Sequence, residues 1–138
     1  MSEARVIDLF AGSGALGLEA LSRGAAFCVF VDSELAAREA IGANLAALRL
    51  TERGRVIAAD AKRLPALPDG PFDLAFLDPP YGEGLAEAAL GGLRTLLAAG
   101  AAVIVERDAA EGALSADGYD RLDERRWGVA RVDFLKKL

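Results

Sequence analysis

The chain has 138 residues, of which 53% are hydrophobic, and a formal net charge of −5. This length and composition indicate a single domain with a substantial core, and no window holds the roughly 18 uncharged apolar residues of a membrane span. Histidine is absent and Cys28 is the only cysteine, which excludes His-based triads, His-ligated metal sites and disulfides within the chain. The amino terminus has no signal-peptide pattern, so we expect a cytoplasmic protein. The acidic balance does not favour free duplex binding.

Short apolar strands alternate with helical patterns through the first half of the chain. We predict strands at residues 6–10, 27–31 and 55–59, and helices at residues 18–23 and 34–48. Gly24 is expected to end the first helix, and Asp32 or Ser33 is expected to cap the second. Cys28 lies within an apolar strand, so its thiol is expected to be buried and inert.

The second half of the chain continues the alternation. We predict a loop at 64–71, a strand at 72–77, an Ala/Leu-rich helix at 83–97, and strands at 102–106, 119–122 and 129–135. The last two strands are expected to form a less buried antiparallel pair. Strand–helix alternation of this kind predicts a three-layer α/β fold, with a mostly parallel seven-stranded sheet covered by helices on both faces. Residues 1–138 are expected to form one domain.

A short motif follows the predicted strand at 72–77. Asp78, Pro79, Pro80 and Tyr81 come directly after it, and the two prolines both end the strand and remove two backbone donors. Ligands of open α/β sheets bind at the carboxyl ends of strands. A carboxylate, bare carbonyls and an aromatic ring at that place suit a planar ring with an exocyclic amine. An ordinary proline-rich turn explains the same composition equally well.

A glycine motif follows the first predicted strand. Residues 12–17 read Gly-Ser-Gly-Ala-Leu-Gly, which matches the dinucleotide-binding fingerprint. Asp32 lies about twenty residues further on, where an acid that binds ribose hydroxyls is expected. Glycines allow a tight turn and a close approach of the backbone to a ligand. The pattern therefore predicts a cofactor that carries a nucleoside, and a glycine loop without a ligand is the alternative.

Two further aspartates bear on the kind of cofactor. Asp8 lies four residues before the first glycine, where a second carboxylate beside a pyrophosphate would be unfavourable. It suits a cofactor with an ammonium or sulfonium group instead. Asp60 ends the third strand, and its side chain or the backbone at Ala61 could meet an adenine edge. Capping of a turn is an equally good interpretation of Asp60.

These motifs together resemble the class I S-adenosylmethionine-dependent methyltransferases that act on amino groups. The fuller stretches 8–25 and 77–82, with Arg126-Trp127-Gly128 near the end, closely resemble the RsmD family of bacterial 16S rRNA guanine-N2 methyltransferases. The resemblance extends over essentially the whole chain. The Asp-Pro-Pro-Tyr element alone is shared with adenine-N6 DNA methyltransferases, whereas the run Phe-Ala-Gly-Ser-Gly-Ala-Leu-Gly-Leu-Glu-Ala points to the rRNA group.

The resemblance implies S-adenosyl-L-methionine as cofactor, a Rossmann-like class I methyltransferase fold and 16S rRNA as partner, within a small ribosomal subunit or an assembly intermediate. It also implies a monomer without membrane association. Catalysis is expected at Asp78, Pro79, Pro80 and Tyr81, the last stacking on a flipped base. Cofactor contacts are expected at Asp8, Phe10, Ala11, Gly12, Ser13, Gly14, Asp32, Ser33, Asp60, Ala61 and Asp78.

This sequence departs from the family at its amino-terminal end, and its basic residues are unevenly distributed. Family members carry an additional basic segment ahead of the glycine strand, so either a shortened version or a naturally short member is expected to bind RNA less well. Six of the 16 basic residues fall within the last twenty positions. If Arg125, Arg126 and Arg131 line the mouth of the site, reversing their charge should weaken substrate binding and spare cofactor binding.

Other functions remain open at this point. An adenine-N6 nucleic-acid methyltransferase uses the same Asp-Pro-Pro-Tyr element. A nicotinamide-dependent oxidoreductase explains the glycines and Asp32 but gives residues 78–81 no role. A non-catalytic module that only binds the cofactor is the third alternative.

Overall fold

Strands and helices alternate along the chain in this computed structural model, which describes residues 3–80, 84–112, 114 and 116–138. The elements are β1 (Arg5–Leu9), α1 (Ala15–Ser22), β2 (Phe27–Asp32), α2 (Leu35–Ala47), β3 (Gly54–Ala58), β4 (Phe72–Leu77), α3 (Leu85–Leu93), β5 (Leu97–Asp108), β6 (Tyr119–Trp127) and β7 (Ala130–Lys137). Single 3₁₀ turns precede β3 and β5. No helix within these described ranges is both long and apolar enough to cross a bilayer.

The strands form one seven-stranded sheet in the order β3-β2-β1-β4-β5-β7-β6. Strands β1 to β5 are parallel, and β7 runs antiparallel to both of its neighbours, β5 and β6. The predicted mostly parallel sheet with an antiparallel strand near the carboxyl terminus is confirmed. Successive strands step outward in one direction from β1 to β3 and in the other from β4 onward. This reversal places a ligand crevice at the carboxyl ends of β1 and β4.

Two apolar clusters cover the two faces of the sheet. Alternation along β1 sends Ile7 to one face and Val6 to the other. Buried residues of α1 and α2, including Leu21 and Ile41, pack with Val6. Buried residues of α3, including Leu90, pack with Ile7 on the opposite face. The predicted three-layer arrangement is therefore confirmed, and both layers of helices leave the carboxyl ends of the parallel strands free.

Helix α1 begins earlier than the sequence predicts. The helix starts at Ala15 instead of residue 18, so Gly17 lies in its first turn. A Cβ at Gly17 would lie 2.4 Å from the ring of Phe30 and 2.7 Å from the sulfur of Cys28. Glycine is needed there because the helix approaches β2 so closely. The buried thiol of Cys28 is confirmed, and burial raises its pKa well above the usual range.

Strand β5 is longer than predicted, and the preceding helix is shorter. The Ala/Leu-rich stretch predicted as a helix to residue 97 leaves the α-helix at Leu93, and β5 runs from Leu97 to Asp108. Leu97 pairs with Phe72, and the register shifts before Ala102 pairs with Leu74. Gly100, predicted to follow a helix, lies in this irregular part of the strand with φ of 82°. Pairing of the buried Leu97 with Phe72 overrides the helical propensity of the neighbouring alanines.

A buried group of charges joins β5 to the β6–β7 hairpin. Asp133 is fully buried and accepts hydrogen bonds from Arg107 at 3.3 Å and from Arg131 at 3.3 Å. Arg131 also donates to Glu124 at 2.7 Å. The condition that Arg131 lines the mouth of the site is not met, because its guanidinium is paired inside this group and 3% of the residue is exposed. The predicted antiparallel pair itself is confirmed, with longer strands.

Candidate active site

A cavity of about 820 Å³ lies at the carboxyl ends of the parallel strands. It brings together residues from distant parts of the sequence, which the motifs singled out separately. The predicted site residues that line it are Phe10, Asp32, Ser33, Asp60, Asp78, Pro79 and Pro80. The glycine turn and the Asp-Pro-Pro turn therefore lie at the same end of the sheet. Tyr81, predicted to stack on a base, lies outside the described residues.

The glycine loop forms a tight turn between β1 and α1. Phe10, Gly12 and Gly14 have positive φ angles of 57°, 58° and 81°. The N–H of Gly14 donates to the carbonyl of Ala11 at 2.8 Å, which closes the turn. Positive φ at the two glycines carries no Cβ penalty. Of the predicted loop residues, Phe10 lines the cavity, whereas Ala11, Gly12, Ser13 and Gly14 are absent from its lining.

Asp32 links this loop to the next helix. One carboxylate oxygen accepts the N–H of Gly12 at 2.9 Å, and the other accepts the N–H of Glu34 at 2.9 Å. The predicted capping of α2 by Asp32 or Ser33 is wrong, because the N-cap is Glu34 and no side chain caps the helix. Asp32 instead holds the glycine turn and the residue that precedes the helix. A carboxylate has about four acceptor positions, so two remain for a ligand in the cavity.

Asp8 lies beneath the glycine loop, and 3% of the residue is exposed. Its carboxylate accepts the N–H of Gly17 at 3.0 Å. Burial raises the pKa of Asp8 to about 7, the N–H of Gly17 opposes that change, and the nearby carboxylates of Asp78 and Asp32 raise it further. Asp8 thus holds a buried proton within reach of neutral pH, and it is absent from the lining of the cavity.

This proton makes folding stability depend on pH. The native pKa of Asp8 is about 7 and the unfolded value is near 3.8, so the native state binds more protons between them. The free energy of unfolding should fall as pH rises from about 4 through about 7, by up to ~4 kcal/mol at this site. Urea denaturation at pH 5 and pH 8 tests this, because Asp8→Asn should remove that part of the slope. Equal slopes in the two proteins would contradict the assignment.

Asp60 has the structural role that was one of its two interpretations. Its carboxylate accepts the N–H of Lys62 at 2.9 Å, and its backbone carbonyl accepts the N–H of Arg63 at 2.8 Å. Its side chain is nevertheless 47% exposed, and the residue lines the cavity. Ala61, predicted to meet a cofactor, is buried in the core with 5% exposed.

Asp78 meets a second carboxyl group that the sequence analysis missed. Burial raises the pKa of Asp78, and the charge of Glu106 and a hydrogen bond between the two side chains raise it further. Glu106 lies near the end of β5, one residue beyond the Leu77–Val105 pair of the β4–β5 register. The rule that singled out Asp78, an acid at the carboxyl end of an apolar strand, would also have found Glu106.

The cavity is acidic as a whole. The described residues that line it include seven carboxylates, on Asp32, Glu34, Asp60, Asp78, Glu106, Asp108 and Glu111, against two cations, on Lys62 and Arg107. Such a lining favours a cationic ligand and opposes a pyrophosphate. Val129 and Ala130 of the β6–β7 turn also reach the cavity. Arg125 and Arg126 lie elsewhere on β6, where they pair with Asp123 and Glu124.

The chain has the class I methyltransferase fold, which is shown by its similarity to solved structures. A structure named "Putative methyltransferase yhhF from Escherichia coli" has a TM-score of 0.89 and 32% identity, and the match covers 99% of this chain and 78% of that one. TrmN from Thermus thermophilus has a TM-score of 0.79 and 26% identity, with 99% of this chain and 45% of that chain covered.

The family is shown by sequence. The family model described as "Conserved hypothetical protein 95" matches residues 1–136, and the chain belongs to that family. Ribosomal RNA small subunit methyltransferase D of Haemophilus influenzae is 31% identical over 132 residues, covering 92% of this chain and 68% of that protein. The Escherichia coli (strain K12) protein of the same name is 41% identical over 85 residues, covering 62% of this chain. The chain spans 42% of the length of that relative.

Proposed function

We propose that the chain transfers a methyl group from S-adenosyl-L-methionine to the exocyclic N2 amine of a guanine in 16S rRNA. The observation that carries this proposal is the shared cavity, where Asp32 of the cofactor half lies with Asp78 and Pro79 of the amine half. The names of the curated relatives support the rRNA substrate. A small ribosomal subunit or an assembly intermediate is the proposed form of that substrate.

The residues present fit a cationic nucleoside cofactor. A volume of about 820 Å³ is within the range of small-molecule sites. Asp32 offers free acceptor positions to ribose hydroxyls, and Asp60 offers a half-exposed carboxylate to an amine. The buried carboxyl of Asp8 suits a positive group above it, because a cation would stabilise its ionised form. The cofactor supplies a methyl group that is already activated on a positive sulfur.

The chain has to hold the acceptor amine and stabilise its developing charge. The amine of guanine is conjugated with the ring and is a poor nucleophile. We assign the carboxylate of Asp78 and the carbonyl of Pro79 as acceptors for its two hydrogens. Their pull favours a pyramidal nitrogen whose lone pair is free to attack, and their negative charge stabilises the cation that grows on nitrogen. The base leaves its helix to enter the cavity.

The decisive experiment is nucleoside mass spectrometry. Small subunits from cells without this modification are incubated with the chain and S-adenosylmethionine, and their rRNA is digested to nucleosides. The expected product is N2-methylguanosine. N6-methyladenosine in its place would support the adenine alternative, and cofactor binding without any product would support a non-catalytic module.

The role of Asp32 is tested by binding. Asp32→Ala should raise the Kd for S-adenosylmethionine by about 10- to 100-fold, because hydrogen bonds to a charged group and the anchor of the glycine turn are both lost. Isothermal titration calorimetry measures the change. Asp120→Ala, on the exposed outer strand β6, is the matched control and should bind as the wild type does. Equal Kd values for Asp32→Ala and the control would rule out this role.

A further inference from the structure

Glu106 and Asp78 form a pair of carboxyl groups on adjacent parallel strands. The β4–β5 register pairs Leu77 with Val105, so the next residue of each strand extends from the same edge of the sheet. The side chain of Glu106 interacts with that of Asp78 and raises its pKa, and both residues line the cavity. The turn where the amine is proposed to bind therefore contains two carboxyl groups.

Glu106 is directed differently from its neighbour in the sequence. The guanidinium of Arg107 donates to Asp133 at 3.3 Å and to the carbonyl of Gly112 at 2.9 Å, within the buried charge group. Successive side chains of a strand point to opposite faces, so Arg107 is committed to that group. On the β7 side, the register partner of Glu106 is the apolar Val132. The β4–β5 register thus places the Glu106 carboxyl beside Asp78 at the cavity.

The nucleobases differ in the group beside the exocyclic amine. In guanine, the amine lies between the ring nitrogens N1 and N3, of which N1 carries a hydrogen, so the amine and N1 are adjacent donors on the Watson–Crick edge. In adenine and cytosine, the ring nitrogen next to the amine is an acceptor. An ionised carboxyl group can only accept hydrogen bonds, and it repels an acceptor placed opposite to it. Two neighbouring carboxylates therefore match the edge of guanine and reject the edges of the other two bases.

We propose that Glu106 is a specificity-determining residue, which accepts the N1 hydrogen of the target guanine while Asp78 and Pro79 hold its amine. This inference rests on the proposed function and adds to it the residue that selects the base. Glu106 acts in base selection and is not required to bind S-adenosylmethionine.

The test exchanges both the side chain and the base. Mass spectrometry first locates the nucleotide that the wild type methylates, and small-subunit rRNA transcripts are then made with guanine or adenine at that position and assembled with small-subunit proteins. Wild type and Glu106→Gln are assayed on both substrates. The amide of glutamine can donate to the acceptor nitrogen of adenine, which the carboxylate cannot do. Glu52→Gln, at the opposite end of the sheet, is the charge-matched control.

The expected result is a change of preference. Glu106→Gln should lose about 10- to 100-fold of kcat/KM on the guanine substrate, and its ratio of adenine to guanine methylation should rise by at least that factor. Its Kd for S-adenosylmethionine should match that of Glu52→Gln. Unchanged activity on guanine, or an equal loss on both substrates, would overturn the inference. A wild type that produces no N2-methylguanosine would instead overturn the proposed function, and the inference with it.

Discussion

Replacing Asp78 by alanine is expected to lower the rate of methyl transfer by about 100- to 1,000-fold, as loss of one transition-state contact does in other enzymes. Asp78 is assigned to accept an amine hydrogen and to stabilise the positive charge that grows on nitrogen. The interaction strengthens as the reaction proceeds, so kcat should fall more than substrate binding does. Radiolabelled methyl transfer to small subunits measures the rate, and calorimetry measures cofactor binding.

The controls separate this role from a general effect on the fold. Asp73→Ala removes a carboxylate at the other end of the same strand, where Asp73 accepts the N–H of Arg5 at 2.9 Å. That variant should keep the wild-type rate. Asp78→Asn retains one carbonyl acceptor without the charge and should lie between the wild type and Asp78→Ala. Methyl transfer by Asp78→Ala within a few-fold of the control would remove Asp78 from the mechanism.

The second large effect is expected on stability. Asp133→Ala should lower the free energy of unfolding by about 3 to 5 kcal/mol, because it leaves the buried Arg107 without its carboxylate partner and Arg131 with Glu124 alone. Arg107 and Arg131 are 6% and 3% exposed, and the Nε of Arg107 already has no hydrogen-bond partner among the described residues. Urea denaturation followed by circular dichroism measures the change.

An exposed pair on the same hairpin provides the comparison. Asp123 pairs with Arg125 at 3.1 Å, and both side chains are half exposed or more. Solvent and salt screen such a pair, so Asp123→Ala should leave the urea midpoint close to that of the wild type. Equal midpoints for Asp133→Ala and Asp123→Ala would show that the buried charges contribute no more than a surface pair.

Local sequence patterns predicted the strands well where a buried apolar run ends at residues that cannot continue a strand. Strand β4 has the predicted bounds, since an apolar run ends there at two prolines that cannot continue a ladder. The glycine turn and Asp32 lie together as the fingerprint predicts, with the Gly12 amide bonded to the Asp32 carboxylate. Both cases depend on residues near each other in the sequence or on a spacing imposed by one strand–helix–strand unit.

Local sequence patterns gave wrong or incomplete predictions where contacts between distant parts of the chain determine an element's bounds or a side chain's partner. Alanine-rich residues before Gly100 favour a helix locally, but Leu97 already pairs with Phe72 of β4 and the strand continues from there. Arg131 was considered for the mouth of the site, and only the fold shows that it is buried and paired with Asp133. The pairing of Asp78 with Glu106 depends on the β4–β5 register, which no single stretch of sequence contains.

The β6–β7 hairpin also determines which edge of the sheet is open to pairing with a second copy of the chain. Without β6 and β7, the sheet would end at β5, whose residues Val103 and Val105 are apolar and whose backbone would be open to another chain. With the hairpin in place, the open edge on that side belongs to β6, which bears three acids and three arginines and has a register shift between Arg121 and Asp123. Pairing of a strand from another molecule with β6 would desolvate those charges, and the shifted register would misalign the hydrogen bonds. This edge therefore disfavours aggregation through strand pairing.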